Sequence, residues 1–321
     1  MGRKRTAHGA SRGNEGNHKM ENVTGRRPTA RTSPRRAAWG DVGCRLPPLP
    51  GLAAMVLVVC TALSSAPPAS AAAAPAEGPP APAAAQPAPS PPPAKPGAAR
   101  VVIVTGQEHP AHNWRATAPA LAEILRKDLR LDVRVVEDPQ FLASPELAGH
   151  DAIVLHFMNH QQPAPGAKAR ENLRRFVEGG KGLVLVHFAC GAFQDWPEFR
   201  SLVGRVWDPK LRGHDPRGPF RVEIASPKHP ITEGLQAFDA DDELYTCLAG
   251  EAPVTVLATA RSKVDGKDYP MAFVYASGKG RVFQCLLGHD VKALAVPTAG
   301  ELYRRGAAWA AGLAPVAPDA R

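Results

Sequence analysis

From residue 99 onward, short apolar β-branched runs alternate with longer amphipathic stretches. Arg100-Val-Val-Ile-Val-Thr-Gly106 is a continuous apolar run ended by glycine, the pattern of a strand buried on both faces. Trp114 to Lys127 then places Ala118, Leu121, Ala122 and Leu125 at helical spacing. Leu131 to Val136 alternates as a strand, Asp151 to His156 reads as another, and Ala167 to Glu178 is helical up to the stop at Gly179 and Gly180. Gly182 to His187 supplies a fourth strand. This β-α-β-α order predicts a doubly wound, mostly parallel sheet with helices on both faces, and such sheets bind ligands beyond the carboxyl ends of their strands. Past His187 the rhythm changes. Asp195-Trp196-Pro197 is expected to open a short helix through Leu202, and Gly213 to Gly218 to form a turn-rich loop. Strands follow at Phe220 to Ala225, Val254 to Ala260, Met271 to Tyr275 and Arg281 to Leu286, with a closing helix over Glu301 to Ala311.

Charge divides the 321 residues unevenly. The chain carries 39 Lys and Arg against 30 Asp and Glu, a formal +9, yet residues 1–100 hold 13 basic and 4 acidic residues and so account for all nine. The remaining 221 residues hold 26 of each sign. A neutral folded region lacks the clustered positive charge that phosphate recognition needs, so nucleic acid is not an expected partner.

Residues 1–45 show no apolar period and cannot bury enough surface to offset chain entropy. Leu52 to Leu63 is an uncharged 12-residue apolar run followed by Ala69-Ser70-Ala71. It is too short to span a bilayer, which takes about 20 residues, and matches a secretory signal with an A-x-A cleavage site. The expectation is export to the periplasm or beyond, with no stable membrane span after cleavage. A lipoprotein anchor at Cys60 is the weaker reading, because the residue before it is not small. The organisation expected is a basic N-terminus plus signal over residues 1–71, an Ala/Pro-rich tether over 72–98, a folded domain over 99–313 and a tail over 314–321.

Two constellations could carry chemistry. His187-Phe-Ala-Cys190-Gly191 turns sharply after a strand, which is how several α/β enzymes expose a nucleophile, and His289 could serve Cys190 as a base. The commoner fate of such a cysteine is to pack under the turn. The second is the set His112, His187, His214, Glu243, His289 and Asp290, each at a strand end or in a loop. Neutral imidazoles with a carboxylate suit a divalent metal such as zinc, with His187, His214 and His289 as candidate ligands; the same groups suit proton transfer to a hydroxylated substrate. His187, His289 and Glu243 are the catalytic candidates. His112, Trp114, His214, Asp290 and Tyr245 are candidate substrate contacts, the aromatic rings offering faces for a sugar.

With these motifs laid out, the chain resembles the ThuA-like family, named for trehalose utilisation, within the class I glutamine amidotransferase-like superfamily. Thr105-Gly-Gln107 with His112-Asn-Trp114, Gly180-Lys-Gly182 with His187-Phe-Ala189, and Asp195-Trp-Pro-Glu-Phe199 carry the likeness. So do His214, His229-Pro-Ile-Thr232, Asp242-Glu-Leu-Tyr245, Gly278 to Phe283, Leu287-Gly-His-Asp290 and Trp309. The resemblance implies a flavodoxin-like sheet with its site at the turn after the fourth strand, and a role in sugar catabolism with a small carbohydrate as partner. In the amidotransferase relatives that turn holds a cysteine. Here Phe188 aligns with it and Cys190 comes two residues later, so glutamine hydrolysis is not expected. The readings are therefore an exported protein that acts on or binds a carbohydrate, a non-enzymatic sugar-binding module, or a Cys190-dependent hydrolase. The reaction, the metal and the oligomeric state are left open.

Overall fold

A computed structural model of the chain describes residues 97–160 and 162–316. The expected basic N-terminus, the signal segment, nearly all of the Ala/Pro-rich tether and the last residues of the tail lie outside the described residues. No helix among the described residues is long and apolar enough to cross a membrane.

Nine strands form one sheet in the order β2-β1-β3-β4-β9-β8-β7-β5-β6. The first half is β1 (Ala99–Val104), β2 (Leu131–Val136), β3 (Ala152–Leu155), β4 (Gly182–Val186) and β9 (Gly280–Cys285), all pairing in parallel. Helices α1 (Trp114–Arg126) and α2 (Ala167–Glu178) connect these strands, the short α3 (Glu198–Val203) follows β4, and α5 (Pro297–Ala310) is the last helix described. β1, β3 and β4 read as unbroken Val, Ile and Leu runs because apolar cores cover both faces of the sheet.

The second half corrects the expectation of a mostly parallel sheet. β5 (Gly218–Ile224), β6 (Phe238–Asp242), β7 (Thr255–Arg261) and β8 (Asp268–Ser277) extend the sheet from β9 through antiparallel pairs only. The sheet is mixed. Three strands separate β6 from β9, so a flat sheet would hold them roughly 19 Å apart, at about 4.8 Å per strand. Yet the Asp242 carboxylate at the end of β6 accepts hydrogen bonds from the backbone N–H groups of Gly288 (2.6 Å) and His289 (3.2 Å), just past β9. The antiparallel half therefore curls back toward the carboxyl end of the parallel half. That closure brings the β6 end to the site.

Close contact between α5 and β9 sets the other face. A Cβ built at Gly306 would lie 2.2 Å from the buried Phe283 ring, so only glycine lets the helix rest there. Gly306→Ala is expected to cost about 1–3 kcal/mol through overpacking, net of the helix propensity that alanine adds. Thermal unfolding of the pair measures it, and an unchanged midpoint would show that the ring moves aside freely.

Candidate functional site

Four chain segments meet at the carboxyl edge of the parallel strands. The loop after β1 brings His109 and His112, which close a small bridge to each other. β4 ends at His187, whose φ of +45° lies in the left-handed region, rare for a residue with a side chain. The strained residue of this strand-to-helix turn is thus His187, one position before Phe188 and three before Cys190. The loop after β9 brings His289. The end of β6 brings Glu243, and Asp242 beside it accepts from the backbone N–H of Glu243 (2.8 Å) as well as those of Gly288 and His289. One buried carboxylate therefore fixes two of the four segments to each other.

His112, His187, Glu243 and His289 each present one ligand-type atom, and these four atoms lie within 4.8 Å of one another. Glu243 Oε2 is 3.2 Å from His289 Nδ1, 3.4 Å from His187 Nε2 and 3.8 Å from His112 Nε2. All four atoms are buried and none makes a hydrogen bond of acceptable geometry. The rings also pack on one another, with His112 and His187 centroids 5.0 Å apart and His187 and His289 5.6 Å apart. Phe188 stacks on His112 at 4.3 Å, and Tyr245 meets His187 edge-on at 4.8 Å. These aromatic walls close much of the surround. Solvent approaches past His214, whose side chain is 41% exposed, and past the partly open His289. A shallow cleft lined by Glu108, His109, Pro110, His160 and Gln162 opens beside His109.

The electrostatics follow from burial and from the crowding of imidazoles. Burial, with repulsion from His187, His109 and His289, pushes His112 down to about 2, so this ring is neutral. Burial pushes Glu243 up, but His187, His289 and His214 outweigh it and hold the carboxyl well below the ordinary range. His289 is raised by its contact with Glu243.

The other expected site residues are placed differently. His214 stacks on Tyr245, and its Nε2 stands 3.9 Å from Glu243 Oε1, at the rim of the cluster. Tyr245 is buried and forms wall rather than open surface. Trp114 is buried at the first turn of α1; its indole donates to Glu108 and Arg115 covers its ring, so it offers no face to a sugar. Asp290 is also engaged elsewhere, capping the short helix α4 (Val291–Leu294) through Ala293 and pairing with Arg217 at 2.6 Å. Cys190 is fully buried, and burial pushes its thiol up to about 12, the reverse of what a thiolate nucleophile needs. The core-packing reading of that cysteine holds, and the hydrolase reading loses its nucleophile. Asp242 has no role in the sequence reading; its place beside Glu243 in a short acidic stretch was the available signal.

A search of curated proteins found no match. Among solved structures, the chain is similar to a ThuA-like protein from Parabacteroides merdae, with 25% identity, 68% of this chain and 92% of that one covered, and a TM-score of 0.60. A ThuA-like protein from Bacteroides uniformis is similar in fold at 19% identity, over 71% of this chain and 98% of that one, with a TM-score of 0.53. The profile of the ThuA family, described as trehalose utilisation, matches residues 100–310, which takes in every segment of the site. The chain belongs to the ThuA family.

Proposed function

We propose that the protein takes a small carbohydrate, a trehalose-type disaccharide or a keto derivative of one, and acts on it at the His187–Glu243–His289 centre. The convergence of three imidazoles and a carboxylate beyond the strand ends, where open α/β sheets receive ligands, carries this reading. The family's description, trehalose utilisation, supports a sugar of this class as the substrate. Imidazole next to carboxylate suits work at a sugar hydroxyl or an adjacent carbonyl oxygen, where charge and protons move during bond cleavage or isomerisation. His214 at the rim would meet the substrate first. The short apolar run before Ala69 makes the same reading that of an exported protein.

The test is a panel of oxidised and unoxidised disaccharides, scored for both binding and turnover with the purified protein and its His289→Ala variant. Turnover of at least one sugar is expected, falling by about 10²–10⁴-fold in the variant. Binding without turnover in the wild type would instead make the protein a sugar-binding module. Neither binding nor turnover across the panel would overturn the reading.

A further inference from the structure

The hydrogen bonds behind the cluster decide which ring nitrogens carry protons. Leu286 C=O can only accept, so at 2.7 Å His187 Nδ1 is the donor, and His187 Nε2 is the nitrogen turned into the cluster. The Ala111 N–H donates to His109 Nδ1 at 3.2 Å, so that nitrogen is unprotonated; its 2.8 Å contact with His112 then makes His112 Nδ1 the donor. His112 Nε2 is therefore a bare lone pair. Glu243 Oε2 is an acceptor as carboxylate. His112 Nε2, His187 Nε2 and Glu243 Oε2 thus face one another in a buried space with no hydrogen bond among them, and His289 Nδ1 completes the group without a hydrogen bond of its own. Buried acceptors that meet no donor carry a cost of desolvation that a protein normally avoids.

We propose that His112, His187, Glu243 and His289 bind one divalent transition-metal ion of the zinc type. Three imidazole nitrogens and one carboxylate oxygen, with no thiolate, form a donor set suited to such an ion. Bonds of about 2.0–2.2 Å in a tetrahedron put neighbouring ligand atoms roughly 3.3–3.6 Å apart, and the Glu243 contacts of 3.2, 3.4 and 3.8 Å bracket that spacing. The outer contacts are those of metal-bound histidine, whose second nitrogen donates to a carbonyl or another fixed acceptor. His187 has the Leu286 carbonyl and His112 has His109. Asp242 fixes the backbone of both Glu243 and His289. His214 is not a ligand; its Nδ1 donates to the Asp215 carbonyl at 2.9 Å, which leaves its Nε2 free at the rim as an acceptor near the open side. The ion would supply the centre with a Lewis acid for a substrate oxygen. The metal site rests on the proposed function only for its location, not for the sugar.

Because metal binding needs no sugar, its test is independent of the carbohydrate screen. The full chain, stripped with a chelator and dialysed, is titrated with Zn²⁺ by calorimetry, alongside Glu243→Gln and His187→Ala, with circular dichroism checking that each variant is folded. One Zn²⁺ per wild-type chain is expected, with affinity at least about 100-fold weaker in either variant and a thermal midpoint that zinc raises only in the wild type. Should both variants fail to fold, His289→Ala, which removes the most exposed ligand ring, gives the same comparison. Substoichiometric uptake, or equal uptake by wild type and variants, overturns the assignment.

Discussion

Asp242→Ala is expected to destabilise the protein by at least about 3 kcal/mol, the largest single loss from one side chain near the site. The carboxylate is 1% exposed and accepts from three backbone N–H groups: Glu243 and His289 through Oδ1, Gly288 through Oδ2. Alanine leaves all three donors without an acceptor, and each buried orphan costs about 1–3 kcal/mol. For a folded region of this size, 3 kcal/mol corresponds to a midpoint lower by roughly 6–12 °C. Asp242→Asn separates the roles of the two oxygens. Its amide oxygen can still serve Glu243 and His289, but the amide nitrogen then faces the Gly288 N–H, donor against donor, so an intermediate loss is expected. A midpoint within a degree of wild type for Asp242→Ala would show that the curl of the antiparallel half does not depend on this clamp. Metal affinity should fall with stability, because the same carboxylate positions two of the four proposed ligands.

That clamp also shows where pattern reading stops. In the parallel half, β1, β3 and β4 were legible because each is buried on both faces and so announces itself as an uninterrupted apolar run, while the edge strand β2 showed as alternation. β6 gave no such signal. In Phe238-Asp-Ala-Asp-Asp242 the inward positions are Phe238, Ala240 and Asp242, a regular period of two, but its last member is the clamp. A polar residue buried for its hydrogen bonds looks, in sequence, like a residue facing water. Strand direction was equally hidden, since alternation in β5, with Phe220 and Val222 inward and Arg221 and Glu223 outward, is the same for either pairing sense. The expectation of a mostly parallel sheet failed on that ambiguity, because the strands of the second half all join it antiparallel.

The candidate site was read on similar terms. His112, His187, Glu243 and His289 were accessible because histidines and acids at strand ends have few structural reasons to be there, and strand ends of such sheets converge. Trp114 and Asp290 lie equally close in sequence to strand ends, but their side chains are consumed locally, by α1 and by α4 with Arg217. Position along the chain locates a residue at the edge; only packing tells which way it faces. The strain at His187 belongs to the same category, since a positive φ on a non-glycine residue leaves no trace in composition.

In the presence of a chelator, stability should fall steeply as pH drops from 7 to 5, before any carboxylate titrates. His156, fully buried behind β3 with Nδ1 3.0 Å from the Thr105 hydroxyl, is pushed down to about 3 by burial and then by repulsion from His187. His112 is pushed down to about 2. The unfolded chain protonates both near 6.5. A histidine whose folded value is depressed contributes stability that is fully present above 6.5 and is lost as pH falls toward the folded value. For His156 the window is therefore 6.5 to about 3. Each pH unit inside the window removes about 1.4 kcal/mol per histidine, so by pH 5 His156 alone removes about 2 kcal/mol. His109, His150 and His229 are also depressed and act in the same direction. His289, raised by Glu243, opposes them: its contribution is present below 6.5 and is lost as pH rises through its folded value. The depressed carboxylates, Glu243 among them, add their own loss only below about 4.5. Thermal midpoints of the wild type and of His156→Gln at half-unit steps from pH 7.5 to 5.0 isolate the contribution of His156, since glutamine keeps a polar group beside Thr105 without titrating. The variant is expected to start less stable and to fall less steeply, by about 1.4 kcal/mol per unit below pH 6.5. Parallel curves for the two proteins would mean that His156 accepts a proton inside the fold and that burial does not hold its ring neutral.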